Sequence, residues 1–233
     1  REWYLCEWKA NRQMYPPIKK QFGCISFDKG GYYCIREKDT FSFIRCGRYK
    51  DRPAHADNLH LDIWYQGENY LFDGGSYKYN TTEKLLRYFM GTESHNTIML
   101  EGHDQMLKGD RFIWYNWSQA EWSSLKETED TYIFEGKVSC FTYLNKEIKH
   151  SRKIVKWKNT CKWEIEDCID GNPKNMNMRQ LWHTNKDNLS LESNGETVDT
   201  EQLCSNYYGQ TTKCRQIEFQ TKNSSIKTIL QFI

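Results

Sequence analysis

The feature that most restricts this chain is a long series of short strand-like runs. Turns separate them about every 8–12 residues, and no apolar stripe of helical period competes. Residues 32–36 (YYCIR) and 41–45 (FSFIR) flank the turn-forming Glu37-Lys38-Asp39 and predict a hairpin. From 58 to 65, Leu59, Leu61 and Ile63 alternate with His60, Asp62 and Trp64, the period of a strand with one buried face. After the turn at Gln66-Gly67-Glu68, a further run over 69–73 ends on Asp73 and the Gly74-Gly75 pair. Strand-like runs follow at 97–100, 111–117, 120–126, 131–140, 146–157 and 161–168. The last four lie at 179–183, 189–192, 214–219 and 225–232. Residues 81–92 are the one helical or irregular insert, with Thr81 or Thr82 placed to cap it. The pattern predicts an all-β, multi-stranded antiparallel sandwich over residues 23–233, and 233 residues suit one such domain. Residues 1–22 differ: Trp3, Trp8, Tyr15 and Pro16-Pro17 give no alternation, and read as a linker or the end of a preceding helical domain. A first residue of Arg1 rather than Met is consistent with a fragment or a processed product.

Charge excludes some functions. There are 33 basic and 31 acidic side chains, a net +2, which argues for neither a nucleic-acid nor a membrane-surface partner. No apolar run approaches the roughly 20 residues of a membrane span. The nine cysteines are odd in number and contain no C-x-x-C pair, so a zinc ribbon is absent. They read as buried free thiols rather than a disulfide framework, which leans toward a reducing compartment. Nine Trp and fifteen Tyr suit strand cores, and aromatics also line carbohydrate clefts.

Chemistry-bearing residues concentrate between Arg52 and Thr97. His55 enters one strand, Asp73 leaves the next, and His95 precedes a third. Two imidazoles and a carboxylate form a typical three-ligand zinc set, the fourth position being left to water or another group. The alternative is histidines hydrogen-bonded at strand ends. His60 and His103 fit that alternative, and His150 and His183 read as partly exposed or satisfied by neighbours. Asp57 and Asp62 are possible general bases, or carboxylates that are solvated or paired with arginine. Tyr77 and Tyr79 follow the double glycine; a tyrosine can act as acid and base in sugar elimination, and can equally serve packing.

Several separated motifs occur in one order. They are Arg52-Pro53-Ala54-His55-Ala56-Asp57 with the strand that follows, Asp73-Gly74-Gly75-Ser76-Tyr77-x-Tyr79-Asn80, Ser94-His95-Asn96-Thr97, and Asp104-Gln105-Met106. Looser agreement continues through His150-Ser151-Arg152, Glu166-Asp167, Leu181-Trp182-His183 and Tyr207-Tyr208-Gly209. In these marks the chain resembles the C-terminal domain of heparinase II/III-like proteins, a bacterial polysaccharide lyase group. The resemblance implies a supersandwich-like β-domain that, in full-length members, follows an N-terminal (α/α) toroid of helices. The sugar cleft lies between the two, and the toroid is missing from this sequence. It also implies acidic, uronate-containing polysaccharide as substrate, β-elimination as the reaction, and a bound Zn²⁺ in the β-domain. An Asn and a Tyr of the toroid, with a histidine of the β-domain, would handle the protons. His55, Asp73 and His95 fall on the zinc-ligand positions. The family's His-x-His pair is represented by Pro53-Ala54-His55, so Pro53 stands where the catalytic histidine is expected; a register shift of two would make His55 that histidine. Family lyases lean periplasmic and the cysteine count leans cytoplasmic, which leaves the compartment open.

Three functions follow from these residues. One is a polysaccharide lyase domain, inactive without its toroid. Another is a non-catalytic carbohydrate-binding or scaffolding module with a structural zinc, for which Trp64, Trp114 and Trp117 are the first aromatics to test. The third is a zinc-dependent hydrolase.

Overall fold

The computed structural model describes residues 19–172 and 175–232. Five strands pair in sequence order into one antiparallel sheet: β1 (Gly23–Phe27), β2 (Tyr32–Arg36), β3 (Thr40–Arg45), β4 (Leu61–Tyr65) and β5 (Glu68–Leu71). The predicted hairpin is β2–β3, with Tyr32 opposite Arg45. A second sheet has six strands in the order β14-β17-β12-β11-β10-β9. These are β9 (Gln119–Glu127), β10 (Thr131–Ser139), β11 (Lys149–Trp157), β12 (Lys162–Asp170), β14 (Leu189–Ser193) and β17 (Ser225–Phe232). A third is β15-β16-β13-β6, from β6 (Ile98–Leu100), β13 (Met178–Thr184), β15 (Glu196–Cys204) and β16 (Thr212–Thr221). A short ladder joins β7 (Leu107–Lys108) to β8 (Trp114–Tyr115).

The alternating residues of the five- and six-stranded sheets meet in one core. Ile35, Ile44, Leu61 and Ile63 share it with Phe134, Ile154, Trp163, Ile165 and Leu230. Trp163 is fully buried and its Nε1 donates to Ser42 Oγ at 2.9 Å across the sandwich. Truncating such a side chain costs about 3–5 kcal/mol. Alternation also turns charged residues inward: β11 and β12 bury His150, Arg152, Lys156 and Asp167.

One insert is helical, as expected. Thr82 accepts from the Leu85 amide and starts α1 (Glu83–Met90), which buries Phe89 and Met90 and ends at Gly91. A 3₁₀ turn (Thr92–Ser94) then leads to His95. The described residues contain no helical toroid. Most of the segment read as linker or remnant, residues 1–18, lies outside them.

Two strand expectations need correction. The run at 111–117 pairs only at Trp114–Tyr115, because Arg111 and Asn116 adopt φ of 49° and 53° and break the ladder. Strand β15 had no signal, since its sequence ETVDTEQLC is polar and it lies at a sheet edge with little to bury. Eight cysteines are free thiols; Cys6 falls outside the described residues.

Candidate metal centre and its supports

The site is built from three loops that meet at strand ends. The first carries His55. Tyr49 Oη donates to the His55 carbonyl at 3.2 Å and lies 2.8 Å from Asp57 Oδ1, and Arg45 Nε is 2.8 Å from the same carboxylate. Trp114 Nε1 donates to the Ala54 carbonyl (3.1 Å), and the Ala56 amide donates to Met90 O (2.9 Å). Asp57 is thus the arginine-paired alternative rather than a free base. Trp114 is 2 % exposed and braces this loop, so it is unavailable to stack on sugar; Trp117 is partly buried and Trp64 is 36 % exposed.

The second loop carries Asp73. Its Oδ1 accepts the Gly75 amide at 2.6 Å, closing an Asx turn and leaving Oδ2 free. Both glycines are required. A Cβ on Gly75, at φ +86°, would lie 2.1 Å from Ser205 O, and one on Gly74 would lie 2.9 Å from Ser94 Cβ. Tyr77 follows with φ 55°, an unusual value for a bulky residue, and its ring packs on Phe89 at 5.5 Å.

His95 leaves the 3₁₀ turn and is fully buried. Its Nδ1 donates to the Gly91 carbonyl at 2.7 Å. That bond sets the tautomer and turns the Nε2 lone pair inward. The adjoining Asn96 holds the surroundings: its side chain donates to Leu61 O (2.9 Å) and Phe72 O (3.2 Å) and accepts from His183 N (2.8 Å).

The predicted residues do come together. His55 Nδ1 lies 3.1 Å from His95 Nε2, which lies 3.2 Å from Asp73 Oδ2. One ligand atom from each residue falls within a 4.8 Å group. A tetrahedral ion with bonds of about 2.0–2.1 Å has ligand–ligand edges of about 3.3 Å, so this spacing suits one. Each ligand also has a partner on its far side: Gly91 O for His95, Gly75 N for Asp73, and Ser76 Oγ, 3.3 Å from His55 Nε2. Such partners orient metal ligands and set their tautomers. The residues therefore fit a divalent ion with three protein ligands. Asp73 remains 36 % exposed, which opens the group to solvent.

Electrostatics point the same way. Burial disfavours charge on Asp73, but the neighbouring His95 outweighs it and holds the carboxyl well below the usual range. Burial likewise disfavours charge on His95, yet Asp73 beside it raises the imidazole pKa to about 9. Burial, then His95, lowers that of His55. The converging lone pairs call for a cation, either a proton or a metal.

His60, His150 and His183 are structural, and for His150 and His183 the structure favours satisfaction by neighbours over partial exposure. His60 Nδ1 accepts the Asn96 amide (2.9 Å) and its Nε2 faces Asp62 (3.0 Å). His183 is fully buried between Asn96 Oδ1 and Gln216 Nε2. His150 is also fully buried, with Nε2 donating to Asp167 at 2.6 Å and Nδ1 unpartnered. The sequence reading gave no role to the supports Gly91, Asn96, Gln105 and Arg152. Their one signal is position, since Asn96, Gln105 and Arg152 lie within the quoted motifs. Gln105 donates to Asn58 O at 2.8 Å, and Arg152 to Leu59 O and Asn96 O at 2.6 and 2.7 Å.

Comparison with known proteins agrees with this architecture. No curated protein matches. A solved heparinase III aligns with a TM-score of 0.77 at 17 % identity, covering 97 % of this chain and 38 % of its own. Heparan sulfate lyase HepC from Pedobacter heparinus aligns at 0.75 and 15 % identity, with the same coverage of 97 % and 38 %. Another heparinase III gives 0.72 at 14 % identity, covering 93 % of this chain and 37 % of its own. The chain thus spans less than two fifths of these structures, and at such identities they establish the fold alone. The family model described as heparinase II/III-like, C-terminal, matches residues 20–229, and the chain belongs to that family.

Proposed function

We propose that this chain is the β-domain of a polysaccharide lyase that cleaves acidic, uronate-containing polysaccharide by β-elimination, completed by an N-terminal toroid. One observation carries the reading: three ligand atoms converge at 3.1–3.2 Å in a member of the heparinase II/III-like family. His55 Nδ1, Asp73 Oδ2 and His95 Nε2 would hold Zn²⁺. When bound, the ion supplies fixed positive charge and holds together the three loops that wall this side of the cleft.

β-Elimination needs the sugar carboxylate neutralised, the C5 proton removed by a base, and the leaving oxygen protonated by an acid. In this reading the β-domain shapes and charges the cleft, and the toroid contributes most of the proton-transfer groups. His55 serves as ligand, because its Nδ1 faces His95 and its Nε2 faces Ser76. Tyr77 packs on Phe89, and its hydroxyl is the one β-domain acid to test by Tyr77→Phe.

The test is incubation of the full-length protein with uronate polysaccharides while following the ultraviolet absorbance of an unsaturated sugar end. A rise abolished by His95→Ala is the expected result; no rise across a broad panel refutes the lyase reading. A second reading, a binding module that does not cleave, is favoured by Pro53, which cannot transfer a proton. It predicts sugar binding without turnover in the same assay.

A further inference from the structure

We propose that a basic cleft beside His55 is a binding subsite for the negatively charged substituents of the sugar chain. The proposal rests on the reading above that the partner is acidic polysaccharide. The cleft has a volume of about 390 Å³, and its walls carry Lys29, Arg48, Lys50 and Arg52 against one carboxylate, Asp51. That positive excess is larger than the +2 of the whole chain. Arg45 also reaches the cleft, but Asp57 neutralises it.

Cations elsewhere on the domain are in part neutralised and in part unpaired, and what sets these four apart is that they gather on one concave surface. Lys137, Lys149, Lys158 and Lys227 each pair with a carboxylate, namely Asp170, Glu121, Glu127 and Glu166. Among the described residues, Lys29, Arg48, Lys50 and Arg52 pair with none. Concentrated in a concave surface, unpaired cations raise the local potential and attract polyanions. Guanidinium groups suit carboxylate and sulfate through paired N–H donors.

Position ties the cleft to the candidate metal centre. It ends at Pro53 and Ala54, immediately before His55. Three residues span at most about 11 Å, which bounds the distance from Arg52 to His55 along the chain. Tyr49, part of the cleft wall, holds the His55 carbonyl. Beyond Arg52, whose guanidinium lies 5.6 Å over Phe112, the surface continues onto Tyr79 and Tyr208. Both tyrosines are 69 % exposed, giving flat apolar rings next to the charged cleft. Charges followed by exposed rings match the alternation of acidic groups and apolar ring faces on an acidic sugar chain.

The experiment uses the full-length protein and its Arg48→Gln/Lys50→Gln/Arg52→Gln variant, titrated calorimetrically with a short sulfated uronate oligosaccharide at two salt concentrations. Circular dichroism and metal content control for folding, since none of the three is a ligand. Losing several charge-assisted contacts is expected to weaken binding about tenfold or more and to flatten its salt dependence. Unchanged affinity in the variant overturns the subsite and leaves the polysaccharide reading standing. A native protein that binds no acidic oligosaccharide overturns that reading and the subsite with it. Tighter binding of a single-stranded oligonucleotide of equal charge overturns the assignment to sugar.

Discussion

Two clusters in this domain combine histidine with aspartate and differ in where their positive charge comes from. In the core, Asp167 accepts from Arg152 Nε (2.7 Å), Arg152 Nη2 (2.8 Å), His150 Nε2 (2.6 Å) and Gln180 Nε2 (2.7 Å). The arginine supplies the cation and the carboxylate is saturated with donors. At the loop junction, His55, Asp73 and His95 aim lone pairs at one another, and each turns its other polar atom to a partner outside the group. The core cluster carries its own countercharge, so it acts as a brace. The loop cluster has no arginine: its cation is either a protonated His95 beside Asp73 or, in the reading proposed above, a metal ion. Residue type alone does not distinguish a structural histidine from a ligand; the direction of the second ring nitrogen does.

The largest effect should come from the brace. Arg152→Met strands Asp167 without its cation and frees the Leu59 and Asn96 carbonyls, so urea denaturation should show a loss of about 3–5 kcal/mol. Adding Asp167→Leu to that variant removes the stranded charge and should recover part of the loss. A double variant no more stable than the single would show that the arginine acts through the two carbonyls alone.

Next comes the loop cluster. Chelation should lower the stability of native protein by about 2.7 kcal/mol if metal was present at about a hundredfold excess over its Kd. The His95→Ala variant should carry no stoichiometric metal and show no response to chelator. Native protein purified with no bound metal, and indifferent to added zinc, would reduce the cluster to a protonated His95 beside Asp73.

Much of this division could be read in the sequence, though not all. The strands of the two larger sheets are legible because apolar residues at every second position face a shared core. The edge strand β15 is not, since its polar residues bury little. His55, Asp73 and His95 could be grouped because each sits at the end of a predicted strand. The brace could not, because Arg152 and Asp167 read as ordinary polar positions within strands whose alternation turns them inward. Nor could Tyr49 or Gly91, whose roles depend on Oη and carbonyl directions that no spacing encodes.

A smaller effect separates the structural histidines by pH. His183 is buried and lies near His95 and His60, and its pKa is lowered to about 3; burial also lowers His150. In the unfolded chain both titrate near 6.5. Below about pH 6.5 the unfolded state takes up protons that the folded state refuses, so stability falls as pH drops toward the folded value. For one histidine the loss between pH 6.5 and 5 is about 1.5 kcal/mol. Asp167 is held low by Arg152 and His150 despite its burial, so its contribution persists above the unfolded value near 3.9 and disappears only at lower pH. Urea midpoints measured across pH 5–6.5 should therefore fall with acid. Flat midpoints would mean that His150 and His183 are protonated in the fold.

The smallest change in stability, and the sharpest test of the comparison, is Ser76→Ala. Ser76 is exposed, and its Oγ lies 3.3 Å from His55 Nε2. Removing it should leave the urea midpoint within about 0.5 kcal/mol of native, as for most surface substitutions. If His55 is a ligand, the hydroxyl fixes the tautomer that presents Nδ1 to the ion. Its loss should then weaken metal affinity about tenfold to a hundredfold in a competitive chelator titration. If His55 is only a hydrogen-bonded loop residue, affinity should not move, because the remaining pair of His95 and Asp73 would set it. An unchanged affinity together with full metal loss in His95→Ala would therefore take His55 out of the ligand set. It would then stand free for the proton transfer that Pro53 cannot perform.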